Sequence, residues 1–166
     1  AGPITTNSRS DVNIIMTVNP QTRKILLTTT PRDYYVTIPW ISGEQRDKLT
    51  HAGIYGVDAS MATLEQLYGI EISYYARVNF TSLETIVDAL GGVDVNSEVE
   101  FEKNGYSFHK GINHMDGAQA LTFSRERYSF AEGDNQRGKD QEAVLTAVIQ
   151  KATSPAILKS ANEILV

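Results

Sequence analysis

The pattern of apolar and polar positions defines the first elements. Val12 to Val18 (VNIIMTV) is rich in β-branched residues and predicts a buried strand. Asn19-Pro20-Gln21-Thr22 is a turn signal, and Lys24 to Thr30 (KILLTTT) resumes as a strand, so the two predict a hairpin. Pro31 ends that ladder because it has no N–H to donate. Tyr34 to Ile38 alternates as a further extended piece, and Trp40 to Gly56, polar and glycine-containing, reads as a long loop. Asp58 is placed to cap a helix running to Tyr68, with Gly69 as its stop. Ile70 to Phe80 reads as another strand, with Arg77 near its end.

In the second half, Thr81-Ser82-Leu83-Glu84 is a capping-box pattern opening a helix that stops at Gly91-Gly92. Val93 to Val95 predicts a short strand, and Glu98 to Asn113 a loop or hairpin excursion. Asp116 caps a short predicted helix through Leu121. Asn135 to Thr153 is the longest helical pattern, and Pro155 restarts a last helix to Leu165. Strands alternating with helices predict an α/β or α+β layered domain.

Composition narrows the function classes. A chain of 166 residues suffices for one compact domain with a full core. Its 41% hydrophobic and 21% charged residues are those of an ordinary globular protein. The absence of cysteine excludes disulfides, thiol catalysis and Cys-type zinc sites. A net charge of -5 argues against non-specific nucleic-acid binding, which needs a basic face.

Against that acidic background, five of the eight arginines fall in three clusters: Arg9-Ser10-Asp11, Pro31-Arg32-Asp33, and Arg125-Glu126-Arg127 with Asp134 and Arg137. Arginine suits a local anion site, because its planar fork grips phosphate oxygens bidentately and stays charged. The interleaved aspartates can hold arginines, bind Mg²⁺ or accept a proton. Arg9-Ser10-Asp11 precedes one strand of the predicted hairpin and Arg32-Asp33 follows the other, so the two pairs converge in space. Rim salt bridges without function would show the same spacing, and spacing alone does not separate the two readings. On a helix, Asp134, Arg137 and Gln141 share one face, and Ala143, Val144, Ala147 and Val148 bury the rest. A solvated helix start is the plain alternative. Three arginines within thirteen residues favour an oligoanionic ligand that relieves their repulsion.

His51, His109 and His114 show no zinc-binding spacing, and no GxxxxGK[ST] or GxSxG occurs. Gly91-Gly92-Val93 reads as a helix stop. His51 lies in the polar stretch after Lys48-Leu49-Thr50, where a surface or capping role is the simpler reading.

These stretches, together with Val18-Asn19-Pro20, Lys24 to Leu27, Lys48 to Ala52, the run Val87 to Val95 (VDALGGVDV), Met115-Asp116-Gly117, Ala120-Leu121 and Ser124 to Arg127, resemble the LytR–CpsA–Psr family of bacterial cell-envelope proteins. The resemblance runs in order from Arg9 to about Leu145. It implies a domain with a central mixed β-sheet flanked by helices and an apolar lipid tunnel between them. It also implies a Mg²⁺-dependent phosphotransferase, with pyrophosphatase as a side activity. Such an enzyme moves a glycopolymer (teichoic acid, capsular or related polysaccharide) from a polyprenyl pyrophosphate carrier to peptidoglycan, at the extracytoplasmic face of the cell membrane.

Carried over by residue, Arg9, Arg32, Arg77, Arg125, Arg127 and Arg137 would surround the pyrophosphate, with Gln141 assisting. Asp11 would hold Mg²⁺. Asp33, with Arg32 and Arg127, would be catalytic, either orienting an arginine or serving as base. The tail would lie against Leu83, Val87, Val144 and Val148. The chain departs from the family pattern in two places. The opening strand ending in Gly-x-Asp has no counterpart upstream of Arg9, so the expectation is a single domain over 1–166 lacking that strand and an N-terminal membrane anchor. Asp140, beside Lys139, stands where the family often has an arginine. The alternatives are a non-catalytic module that binds polyprenyl phosphates or anionic glycans, and an envelope-linked regulator. A binder needs the arginines without a complete Mg²⁺ site; a regulator of transcription needs a helix-turn-helix or basic patch, and neither is visible.

Overall fold

The computed structural model describes residues 7–39, 41, 43, 45–126 and 133–155, with side chains in the last stretch from residue 136 onward. The chain divides into two compact units, Ala1–Asn79 and Phe80–Val166.

The first unit begins with the predicted hairpin. Strands β1 (Asn13–Asn19) and β2 (Lys24–Thr30) pair antiparallel from Asn13↔Thr30 to Asn19↔Lys24. The Asn19 side chain closes the turn, accepting from the N–H groups of Gln21 and Thr22 at 3.0 Å each. This is the local bonding for which Asn favours turns. Strand β3 (Tyr35–Thr37) follows. The stretch expected as a loop from Trp40 to Gly56 instead contains β4 (Arg46–Lys48), the one-turn helix α1 (Leu49–Ala52) and a 3₁₀ turn (Gly53–Tyr55). β4 pairs antiparallel with β3, and Arg46 fastens the ladder by lying over the Tyr35 ring and donating to its carbonyl at 2.8 Å. Leu49 and Ala52, three residues apart, are buried, which is the helical spacing the polar composition obscured.

Helix α2 (Val57–Tyr68) matches the predicted span. Its N-cap is Gly56 rather than Asp58, which sits in the first turn; Gly69 ends it in the left-handed conformation at φ 64. Val36, Ile38, Leu49, Ala52 and Leu64 form the core of this unit. The strand expected over Ile70 to Phe80 is absent, and two of its first backbone donors bond back to α2. The N–H groups of Ile70 and Ile72 bond the carbonyl and side chain of Glu65 at the end of α2, and Tyr74 and Tyr75 project into solvent.

In the second unit, helix α3 (Phe80–Ala89) leads through Gly91 and Gly92, both at positive φ, into β5 (Val93–Ser97). β5 alternates buried and exposed and pairs antiparallel with β8 (Gly111–Met115). Between them β6 (Phe101–Lys103) and β7 (Tyr106–Phe108) form a hairpin. Its two-residue loop, Asn104-Gly105, has both φ angles positive, the conformation that Asn-Gly adopts most readily. The expected excursion is thus a hairpin. Asp116 and Gln119 form a full capping box on α4 (Gly117–Arg125), which runs one turn beyond Leu121. Helix α5 (Gly133–Ala152) is the long helix predicted. The last helix, expected from Pro155 onward, lies outside the described residues.

The α/β class therefore holds, with five α-helices and antiparallel strands among the described residues. The single mixed sheet does not form among the described residues: the strands make four two-stranded antiparallel ladders. Each ladder joins strands of one unit that lie near each other in sequence, whereas a mixed sheet needs parallel neighbours linked by crossovers. Leu83, Val87, Val144 and Val148 lie in one buried cluster with Val93, Val95, Met115 and the packed rings of Phe101, Phe108 and Phe123. They line neither of two grooves beside β5, whose walls carry Asn96 and Glu98. The four side chains expected along the lipid tail are thus brought together in one apolar cluster.

Candidate functional site

The β1–β2 register places the segment before β1 beside the segment after β2, and the charged pairs on those arms meet. Arg32 Nη1 donates to Asp11 Oδ1 at 2.7 Å. Arg32 Nε also faces Asp33 Oδ2 at 3.5 Å, and Lys48 Nζ donates to Asp33 Oδ1 at 2.7 Å. The Lys48 hydrogen bond, helped by the charges of Lys48 and Arg32, holds the Asp33 carboxyl below its ordinary range. Asp33 is therefore ionised and shared between two cations.

Behind these side chains lies a backbone tie. The Thr50 N–H donates to the Arg32 carbonyl at 2.8 Å, and the Thr50 hydroxyl donates to the Ser10 carbonyl at 2.7 Å. His51 Nδ1 pairs with Asp47 Oδ2 at 2.8 Å, and Asp47 also accepts from the Lys48 N–H. The His51 and Lys48 bonds lower the Asp47 pKa. Arg77 Nη2 donates to Ser8 Oγ at 2.9 Å, which brings it to the Arg9 arm although its segment is not a strand. Arg9 itself is exposed.

On the second unit, the Arg125 guanidinium lies over the Phe80 ring, 5.2 Å from its centre. Arg137 is half-buried on α5, and the Gln141 amide is buried, donating to the Ser124 carbonyl at 3.2 Å. That bond ties α5 to α4. Arg127 and the Asp134 side chain lie outside the described residues. Glu126 is buried, with its carboxylate facing Lys103 Nζ at 3.1 Å. Asp140 is also buried. Gln136 Nε2 donates to one of its oxygens at 2.9 Å, and burial pushes its pKa up to about 6.

The structure thus joins Asp11, Arg32 and Asp33, and brings Arg77 to the arm that carries Arg9. Sequence reasoning missed Lys48 and Thr50 as members of this cluster. Their signal was that Lys48 to Ala52 is one of the stretches carrying the family resemblance; which atoms they contact emerges only once β4 and α1 fold against the two arms. Two cationic side chains, Arg32 and Lys48, thus lie against the carboxylates of Asp11 and Asp33.

The family model described as the LytR_cpsA_psr family matches residues 2–166. The chain is 41% identical over 158 residues to a Bacillus mycoides protein named polyisoprenyl-teichoic acid–peptidoglycan teichoic acid transferase TagU, covering 95% of this chain and 51% of that protein. A protein of the same name from Enterococcus faecalis is 39% identical, with 95% and 52% covered. The chain spans about half the length of these curated relatives. Among solved structures, it resembles Bacillus subtilis TagU with a TM-score of 0.70 at 33% identity, covering 95% of this chain and 69% of that one. It also resembles YwtF (TagT) with bound octaprenyl pyrophosphate lipid, with a TM-score of 0.67 at 33% identity, covering 88% and 60%. The chain belongs to the LytR_cpsA_psr family.

Proposed function

We propose that this chain is the phosphotransferase domain of an envelope enzyme, which moves a glycopolymer of the teichoic acid type from a polyprenyl pyrophosphate carrier to a peptidoglycan hydroxyl. The observation that carries the reading is the cluster of Arg32, Asp11, Asp33 and Lys48 at the base of the β1–β2 hairpin. Two relatives support the substrate class: one named for teichoic acid transfer, and a solved structure holding octaprenyl pyrophosphate. Full-length activity would take place at the extracytoplasmic face of the membrane. Capsular polysaccharide is the alternative cargo.

Phosphoryl transfer depends on charge neutralisation and in-line positioning more than on a protein nucleophile. Arg9, Arg32 and Arg77 are assigned to phosphate oxygens on the first unit, and Arg125, Arg127 and Arg137 carry the same chemistry on the second. Gln141, bonded to Ser124, supports α5 beside them. Asp33, ionised between Arg32 and Lys48, orients those cations. Mg²⁺ commonly binds through one or two carboxylates together with substrate phosphates. Asp11 fits that role: Arg32 occupies one of its oxygens, and the side chain is partly exposed. The ion would neutralise phosphate charge there, and its presence would also permit slow pyrophosphate cleavage. The polyprenyl tail is assigned to the apolar cluster of α3 and α5, where Leu83, Val87, Val144 and Val148 would part to admit it. The test is transfer from a polyprenyl pyrophosphate-linked donor to a peptidoglycan oligomer with and without Mg²⁺. Product that forms equally without divalent cation would remove the metal from the account.

A further inference from the structure

One uncharged residue joins the two arms that carry Asp11 and Arg32. The β1–β2 ladder ends at Asn13↔Thr30, so beyond that point the arms need other support. Thr50, on the one-turn helix α1, supplies it from both sides. Its N–H, one of the donors a helix start leaves unused, bonds the Arg32 carbonyl at 2.8 Å. Its hydroxyl donates to the Ser10 carbonyl at 2.7 Å, and its own carbonyl accepts from the Ser10 N–H at 3.4 Å. Thr50 is buried, so water does not compete for these bonds.

A second observation shows how closely α1 and the Arg9 arm approach. Gly53, at the end of α1, has an ordinary negative φ of -61, so it is not needed for conformation. A Cβ there would collide with the Ser8 carbonyl and crowd the Ser10 nitrogen at 3.2 Å. Gly53 provides the space and Thr50 provides the bonds.

We propose that Thr50 is a positioning residue for the phosphate site: its hydroxyl sets the register of the Arg9–Asp11 arm against the Arg32–Asp33 turn. This rests on reading the Arg32–Asp11 cluster as a phosphate site. Thr50 touches no substrate and acts through Ser10 and Arg32. In Thr50→Val the shape and the backbone bonds to Arg32 and Ser10 remain, but the hydroxyl bond to the Ser10 carbonyl is lost; Thr50→Ser keeps the hydroxyl.

The test is titration of the 166-residue chain with inorganic pyrophosphate and Mg²⁺, following the Ser10 and Arg32 amide resonances. Thr50→Val is expected to weaken binding about 10-fold or more and to shift both resonances in the free protein, since an ångström-scale misplacement costs up to about 100-fold at a reacting centre. Thr50→Ser is expected to bind within about threefold of wild type, a rescue that depends on the hydroxyl. Arg32→Ala serves as the control for the underlying reading. If Arg32→Ala weakens binding and Thr50→Val does not, the positioning role is wrong while the site stands. If Thr50→Ser is as weak as Thr50→Val, the hydroxyl is not the agent, and the proposal also fails. If Arg32→Ala leaves binding unchanged, the site has been misread and the role of Thr50 falls with it.

Discussion

Arg32 and Asp11 meet at 2.7 Å, twenty-one residues apart in sequence, because the β1–β2 hairpin returns the chain to its starting point. Both side chains are about one-third exposed, at 33% and 39%, so the pair contributes about 1 kcal/mol or less to stability. Asp11→Ala should therefore reduce Mg²⁺-dependent pyrophosphate cleavage while the melting temperature barely moves. Loss of the fold with unchanged activity per folded molecule would mark Asp11 as structural.

Lys48 should control the ionisation of Asp33. The Lys48 bond is the largest cause of the lowered Asp33 pKa, so Lys48→Met should raise it towards the ordinary 3.8. Since the folded pKa lies below the unfolded one, the pairing adds stability above the ordinary carboxylate range. That stability is lost as pH falls through the lowered folded value. Carboxyl-carbon NMR titration of wild type and Lys48→Met checks this. An unchanged Asp33 midpoint in the variant would show that Lys48 does not hold it.

Asp140 should behave in the opposite sense. Its folded pKa is raised to about 6 from 3.8, so the folded state favours the protonated form. Stability then falls as pH rises from about 4 through 6, and the ionised, buried carboxylate costs the protein at neutral pH. Asp140→Asn keeps an oxygen for Gln136 and removes the charge. It should stabilise the chain by about 1 to 3 kcal/mol at pH 7.5 and by almost nothing at pH 4. Denaturant unfolding at the two pH values checks this; an equal effect at both would exclude ionisation as the cause.

Much of this was legible in the sequence where the signal is local. The Asn19 turn, the Gly69 and Gly91-Gly92 stops, the Asp116 cap and the long α5 each depend on residues within a few positions of one another. The meeting of the Arg9 and Arg32 arms followed from hairpin geometry alone. Long-range partners were harder to read. Ile70 to Phe80 has strand composition, but two of its first backbone donors bond back to Glu65. Arg46 to Ala52 is polar enough to read as loop, yet tertiary contacts with Tyr35, Arg32 and Ser10 make it strand and helix. For the same reason Lys48 and Thr50, although in a stretch that carries the family resemblance, were not assigned to the cluster.

The tail site makes a separate prediction. Val87 is fully buried in the α3–α5 cluster, so Val87→Trp should overpack it at a cost of about 1 to 3 kcal/mol. Each buried CH₂ of a polyprenyl chain yields roughly 0.8 kcal/mol, so long-chain donors should lose far more affinity than short-chain analogues with the same pyrophosphate. Direct binding at a temperature where the variant remains folded checks this. Equal losses for both chain lengths would place the tail elsewhere.

The most direct measurement for the central claim is single-turnover transfer from a polyprenyl pyrophosphate-linked glycopolymer precursor to a peptidoglycan oligomer, comparing wild type with Arg32→Ala at equal folded protein. The account predicts a wild-type product linked through phosphate to the acceptor, with release of polyprenyl phosphate. It also predicts a rate in Arg32→Ala lower by about 100-fold or more, the scale of removing one preorganised charge contact from a transition state. Equal rates in the two proteins would contradict it.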